Sequence, residues 1–329
     1  MKRIGLATLV ALGVTAATAS AQTPPPAPTP PPPPPPAPAP ATATLSVSAE
    51  DTLSGAALTG RSFTARVVMK PFVPNETAVL RVYRGKKKIR VKTLTFKPVN
   101  GGAAGVATLK VKSGKAGRLS LRASHRATPA LATAVAKAVR LDAVTPYAAS
   151  GSRGAAVRIL QSKLAAMKYV VPRTGVYDSG TANAVMAWRK VAGMSRTYTA
   201  TSDVFSGLLA GRGQFKVRHP QDGHHVEARI NSQVLALIDG GKVQRIYHTS
   251  SGAPATPTVR GKFRVYLKTP GINAKGMVHS SYFIRGYAIH GYYDVPAFNA
   301  SHGCLRVPIP DAWHIYQWVH MGDEVIVYP

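Results

Sequence analysis

Cysteine is almost missing from this chain: 329 residues contain one, Cys304. No internal disulfide can form, so the fold must rest on its cores. Acidic residues are also scarce, 13 against 42 Lys and Arg, for a net charge of +29. Between Arg81 and Arg126 there are 14 Lys or Arg and no Asp or Glu. Such a field attracts polyanions, whether nucleic acid, anionic lipid or an acidic wall polymer. Long apolar runs are lacking too. After the first residues no stretch is apolar for the roughly 20 residues a membrane helix needs. The histidines His279, His314, His320 and the pair His224-His225 lack the spacing to cysteines or carboxylates of a zinc centre, so no metal and no cofactor are expected. What is present is 45% hydrophobic residues, enough for sizeable cores in two or three domains.

The N-terminus reads as an export signal. Lys2 and Arg3 precede an apolar run from Ile4 to Ala17, and Ala19-Ser20-Ala21 fits small-residue cleavage before Gln22. Residues 1–21 are therefore expected to be a signal peptide, and a membrane is a partner only if that signal stays uncut. Export argues against nucleic acid and places the protein outside the cytoplasm, in the cell wall or periplasm. Residues 22–42 are nearly all Pro, Ala and Thr, with an unbroken Pro30 to Pro36. That composition cannot bury a core and forms an extended linker.

Residues 43–142 alternate with period two, as in Ser62-Phe63-Thr64-Ala65-Arg66-Val67-Val68 and Ala78-Val79-Leu80-Arg81-Val82-Tyr83. Several such short segments predict an all-β immunoglobulin-like sandwich, and a basic one. The Lys86-Lys87-Lys88 run after Gly85 reads as a solvated hairpin turn. Adhesion to anionic wall polymers is the functional alternative.

Residues 150–212 change to a helical period. Val157, Leu160, Leu164 and Met167 form one stripe; Thr181, Ala184, Val185 and Trp188 form a second behind a cap at Asp178. A third follows Ser202. Three short helices predict a small bundle. The order Gly154, Val157, Leu160-Gln161, Leu164, then Gly175-Val176-Tyr177-Asp178, Thr181, Ala184-Val185 and Trp188 resembles the peptidoglycan-binding module of wall enzymes. It departs at Trp188-Arg189, where that module usually has an aromatic-Gln pair.

Residues 213–329 are again strand-rich, with one helix predicted from Asp311 to Val319. Cys304 stands in Ser301-His302-Gly303-Cys304-Leu305-Arg306, and His290 lies ten intervening residues before Ser301. Most free cysteines are simply small buried hydrophobes. A thiol beside two imidazoles and a glycine is also a candidate nucleophile for acyl transfer. That chemistry needs a base to lower a thiol pKa of about 8.5, and an acceptor that fixes the tautomer of the base. It also needs backbone N–H groups facing the oxyanion, one of which can contribute about 3 kcal/mol. Gly303 permits a tight turn that would bring the amides of Gly303 and Cys304 near that oxygen. No carboxylate lies between His302 and Pro310, and Asp294 is the sole one near His290. A carboxylate-completed triad is not indicated, and a backbone carbonyl could orient the base. On spacing alone His302 and His290 are equal candidates for that base.

His290 followed by Ser301-His302-Gly303-Cys304, an apolar residue and Arg306 resembles the catalytic motif of the L,D-transpeptidases of YkuD type. Ser251-Gly252, Thr256-Pro257, Gly261 and Phe263 match an upstream segment, and Gly286-Tyr287-Ala288-Ile289-His290-Gly291 a second block. The gap from His290 to Ser301 is shorter than in many members, which should trim the acyl-acceptor side of the cleft. The resemblance implies a mostly-β catalytic domain with Cys304 as nucleophile, His290 as base and the Gly291 carbonyl as its orienting acceptor. His302 would support the thiolate and oxyanion wall; Arg306 would steady the loop or a substrate carboxylate. Together with Ser301, the aromatic residues Tyr282, Phe283 and Tyr292 would line the substrate groove, the alternative for each aromatic being the core. The implied partners are peptidoglycan stem peptides and glycan strands. The implied reaction releases D-Ala from a tetrapeptide stem and forms a cross-link. An L,D-carboxypeptidase or a non-catalytic wall-binding scaffold are the other readings.

Overall fold

Alternating apolar residues build the first part of the fold. The structure, a computed structural model, describes Gly13 and residues 38–329. The expected signal peptide and most of the Pro-rich linker lie outside the described residues. Strands β1 (Thr44–Glu50), β3 (Ser62–Lys70), β6 (Lys97–Val99) and β7 (Ala104–Lys112) make one sheet in the order β1-β3-β7-β6. A second sheet runs in the order β2-β10-β8-β4-β5. It contains β2 (Ala56–Leu58), β4 (Thr77–Arg84), β5 (Lys87–Thr95), β8 (Gly117–His125) and β10 (Val139–Val144), and β9 (Ala134–Val135) pairs with β8. Phe63, Ala65, Val67 and Met69 of β3 share one core with Ala78, Leu80 and Val82 of β4. Gly85 and Lys86 form the turn from β4 to β5, with Arg84 opposite Lys87.

Three helices follow: α1 (Ala155–Ala166), α2 (Ser179–Val191) and α3 (Ser202–Leu209). Asp178 caps α2 by accepting the Thr181 N–H at 2.8 Å, as its sequence position predicts. Thr201 holds the cap position of α3, without a side-chain hydrogen bond. Most of the residues that carry the resemblance in this segment are internal fasteners. Gln161 accepts the Gly175 N–H and donates to the Val176 carbonyl and the Thr181 hydroxyl, locking α1 to the turn before α2. The Trp188-Arg189 departure is also structural. Trp188 is fully buried and donates to the Arg212 carbonyl. Arg189, also buried, donates to the carbonyls of Ser195 and Thr199 and ties down the chain ahead of α3.

The last part has a five-stranded sheet in the order β13-β12-β11-β19-β14. Its strands are β11 (His225–Arg229), β12 (Val234–Asp239), β13 (Lys242–His248), β14 (Gly261–Arg264) and β19 (Glu324–Tyr328). A four-stranded sheet, β15-β16-β17-β18, comprises Leu267–Ile272, Val278–Ile284, Tyr287–Tyr292 and Leu305–Pro308. His225 opens β11. The final helix, α4 (Ile309–Trp318), starts two residues before the predicted Asp311, because Pro310 is tolerated in its first turn.

Strand β12 reads Val-Leu-Ala-Leu-Ile, apolar without alternation, because both its faces are buried. Leu235 and Leu237 enter the core between the two C-terminal sheets. Val234, Ala236 and Ile238 face the other way, into a core shared with Leu160, Val185 and Trp188 of the helices. The helical segment and the five-stranded sheet therefore have a core in common.

Candidate active site

The site is assembled where β17 and β18 lie parallel, with His290 opposite Arg306 and Ile289 opposite Leu305. Side chains alternate along a strand, so His290, Arg306 and, two residues earlier, Cys304 share one face. Ile289 and Leu305 take the other face and anchor both strands in the core. Cys304, His290, His302, Arg306, Tyr282 and Tyr292 all border one cleft of about 710 Å³.

His290 is buried, and its Nδ1 lies 2.8 Å from the Gly291 carbonyl. A carbonyl only accepts, so Nδ1 carries the proton and Nε2 is left as the basic nitrogen. Burial pushes the His290 pKa down to about 4, with Arg306 adding to the shift against the Gly291 hydrogen bond. Gly291 itself must lack a side chain, since a Cβ there would sit 2.7 Å from the Ala312 Cβ of α4. Burial pushes the Cys304 thiol up, opposed by a backbone hydrogen bond at Ala288 and by Arg306 and Lys275. The resting pair is thus a neutral imidazole and a thiol.

The turn before Cys304 departs from one expectation. Gly303 has φ +113°, and a Cβ would meet the Tyr287 ring at 2.3 Å, so only glycine fits. Its N–H is already engaged, donating to the Ser301 hydroxyl at 3.1 Å, and so is not a free oxyanion donor. Ser301 in turn donates to the Cys304 carbonyl at 2.6 Å. Ser301 borders the cleft, and its hydroxyl also fastens the turn, used in both directions. His302 is exposed at the cleft edge.

Arg306 lies with its guanidinium 4.1 Å from the Tyr292 ring centroid and 4.0 Å from the Asp294 carboxylate. Tyr282 borders the cleft and accepts from the Asn273 amide. Phe283 does not border it. Next to Tyr282 in β16 it must point to the opposite face, where it is buried against Phe263.

Sequence reasoning missed the hairpin tip between β15 and β16, which brings Asn273, Lys275 and Met277 to the cleft. Asn273 holds this tip, its side-chain carbonyl accepting the N–H groups of Lys275 and Met277, both at 3.0 Å. Gly271 and Gly276 marked a turn there, but nothing in the local pattern says which surface it covers. Folding also gathers His224, His320 and Asp323, whose ligand-type atoms lie within 4.8 Å of one another. None of the three borders the cleft.

Residues 223–327 match the L,D-transpeptidase catalytic domain, YkuD, and residues 153–200 match a putative peptidoglycan-binding domain. No curated protein matches the chain. Among solved structures, an L,D-transpeptidase from Xylanimonas cellulosilytica is 31% identical, over 55% of this chain and 97% of that one, with a TM-score of 0.52. The L,D-transpeptidase from Mycobacterium smegmatis is 15% identical over 87% of this chain and 99% of its own, at a TM-score of 0.30. The Enterococcus faecium catalytic domain is 24% identical over 33% and 98%, at 0.29, and neither of these two adds weight. The chain belongs to the L,D-transpeptidase family and carries a peptidoglycan-binding domain ahead of its catalytic domain.

Proposed function

We propose that this protein is an exported cysteine transpeptidase that cross-links peptidoglycan through a thioester on Cys304. The observation that carries the reading is the pairing, in one cleft, of Cys304 with an imidazole whose Nδ1 is held by a backbone carbonyl. His290 Nε2 takes the thiol proton as Sγ attacks the carbonyl of the third residue of a tetrapeptide stem. The Cys304 N–H is the local donor to the oxyanion, the Gly303 N–H being engaged elsewhere. The imidazolium returns the proton to the leaving D-Ala amine, and the thioester remains. An amine of a neighbouring stem then attacks it, giving its proton to His290, and the thiol is regenerated by that proton. Arg306 and Lys275 give the cleft a positive rim suited to stem carboxylates.

The remaining segments fit work in the envelope. The signal peptide (1–21) directs export to the wall or periplasm, and the Pro-rich linker (22–42) spaces the rest from the membrane. The basic β unit (43–142), read as immunoglobulin-like, adheres to anionic wall polymers. The helical unit (150–212) meets glycan strands or stems next to the catalytic unit (213–329).

The test is intact-mass spectrometry of the protein with a disaccharide-tetrapeptide, beside Cys304→Ala and His290→Ala. A dimer formed with loss of one D-Ala, absent in both variants, supports transpeptidation. Loss of D-Ala without dimer would replace it with the carboxypeptidase reading. No acyl adduct and no product would overturn the enzyme reading in favour of a basic wall-binding protein.

A further inference from the structure

The segment that carries the nucleophile, residues 293–304, has no regular secondary structure. Its position is set by hydrogen bonds from outside it. The Val295 carbonyl is 2.8 Å from His248 Nε2, the Ala297 carbonyl accepts from Arg196, and the Phe298 carbonyl accepts from Ser250. The N–H groups of Ala300 and Ser301 both donate to the Ser251 carbonyl. Thr249 donates to the Arg306 carbonyl at 2.6 Å, just past Cys304. Most of these anchors belong to one short strip, residues 248–251, at the end of β13. The question is what holds the strip.

A lysine of the helical unit does. Lys190, in the last turn of α2, is 4% exposed. Its Nζ lies 3.0 Å from the Gln233 carbonyl, 3.0 Å from the Thr249 carbonyl and 2.7 Å from His248 Nδ1. No carboxylate is among its partners. Burial, with Arg196 adding to it, pulls the Lys190 pKa down to about 6, and three acceptors surround the amino group, which donates through its N–H bonds. The Val295 carbonyl can only accept, so His248 Nε2 must carry the imidazole proton. Nδ1 is then a lone pair, satisfied by Lys190. Burial, with Lys190 beside it, pushes the His248 pKa down to about 3 and keeps the ring neutral. Arg196, five residues after α2, makes the second tie, donating to Ala297 and Asn231 carbonyls at 2.9 and 2.8 Å.

From this geometry we propose that Lys190, assisted by Arg196, is a positioning residue for the acyl transfer: it fixes the His248 tautomer and through it the loop that presents Cys304. The proposal rests on Cys304 being the nucleophile. Lys190 borders neither Cys304 nor the cleft, so it acts through the loop alone. Without it, His248 is free to move its proton to Nδ1, and a lone pair then faces the Val295 carbonyl. The helical unit is accordingly part of the catalytic apparatus in this protein, beyond any role in holding the wall.

The test compares the full chain with Lys190→Met, which keeps the stem and removes the donors, and with Arg196→Ala at an exposed position. Cys304 is the only thiol, so iodoacetamide reports its reactivity without ambiguity. We expect amide exchange across 293–303 to rise at least tenfold in both variants while the amides of β11 and β12 stay protected. The rate of Cys304 acylation by the tetrapeptide should fall at least tenfold, with the concentration dependence little changed. In Lys190→Met, nitrogen-15 shifts of His248 should move from the Nε2-protonated to a mixed tautomer. Unchanged loop exchange together with an unchanged tautomer would overturn the proposal. If Lys190→Met unfolds, Arg196→Ala decides through the loop exchange and the acylation rate. If the parent protein gives no acyl adduct, the transpeptidase reading fails, while loop exchange, tautomer and alkylation still judge the clamp.

Discussion

His290 and Gly291 are neighbours in sequence and partners in space, the imidazole Nδ1 of the first donating to the carbonyl of the second at 2.8 Å. This contact replaces the carboxylate of a triad and adds no charge to the site. A buried imidazole without an anion beside it stays neutral, and its pKa near 4 follows. Cys304 is raised for the same reason. The free enzyme therefore should not hold a thiolate–imidazolium pair. The alkylation rate of Cys304 is expected to climb continuously from pH 5 to beyond pH 9. A plateau beginning near pH 5 would contradict this. His290→Ala should slow acylation by the stem about 10²- to 10⁴-fold, the usual contribution of a general base.

The same neutrality has a stability consequence. With a folded pKa of about 4 against an ordinary value near 6.5, His290 is protonated first in the unfolded chain. Its contribution to stability is complete above pH 6.5 and is lost as the pH falls toward 4. Glu227 acts in the same direction further down. Burial raises its pKa, but His225, Tyr328 and the N–H groups of Arg218 and His219 outweigh that and lower it. Thermal midpoints should decline from pH 7 to pH 4 as His290 protonates and decline again below that as Glu227 does; a profile flat above pH 4 would count against the first assignment, and one flat below it against the second.

Gly303→Ala tests the turn. The Cβ would have to enter the Tyr287 ring at a positive φ, which costs on the order of 1–3 kcal/mol. Acylation should be lost while the protein still folds, and adding Tyr287→Ala should restore part of it. Wild-type kinetics in the single variant would show that the turn is not required.

Adjacent residues of β16 should separate packing from binding. Phe283→Ala is expected to destabilise the fold by about 3–5 kcal/mol, as for a buried aromatic. Tyr282→Ala should leave stability within about 1 kcal/mol, as surface changes do, and lower kcat/KM. Denaturant titration beside kinetics checks the pair, and a reversed pattern would exchange the two roles.

Lys275 at the hairpin tip should act through charge. Lys275→Ala is expected to raise KM about tenfold with little change in kcat, an effect that added salt shrinks in the parent protein. Equal KM values at low salt would remove Lys275 from substrate recognition.

Local pattern carried much of this protein. Period-two alternation marked the strands from Ser62 to Val82, and period 3.6 with Asp178 marked α2, because burial on one face forces those periods on the sequence. The motif around Cys304, with His290 upstream, picked out residues that folding brings to one cleft.

Other features depended on which distant surfaces meet. The sides taken by Tyr282 and Phe283 followed from which face of β16 meets the cleft and which the core, not from their shared aromatic character. The engagement of the Gly303 N–H by Ser301, the arrival of Lys275 over the cleft and the grouping of His224 with His320 and Asp323 all needed the closed chain. So did the burial of Lys190 against His248, 58 residues away. Sequence by itself determined which segments could fold and which side chains could react. Tertiary structure decided which hydrogen-bonding groups were already taken, because a donor's availability depends on neighbours that local sequence does not contain.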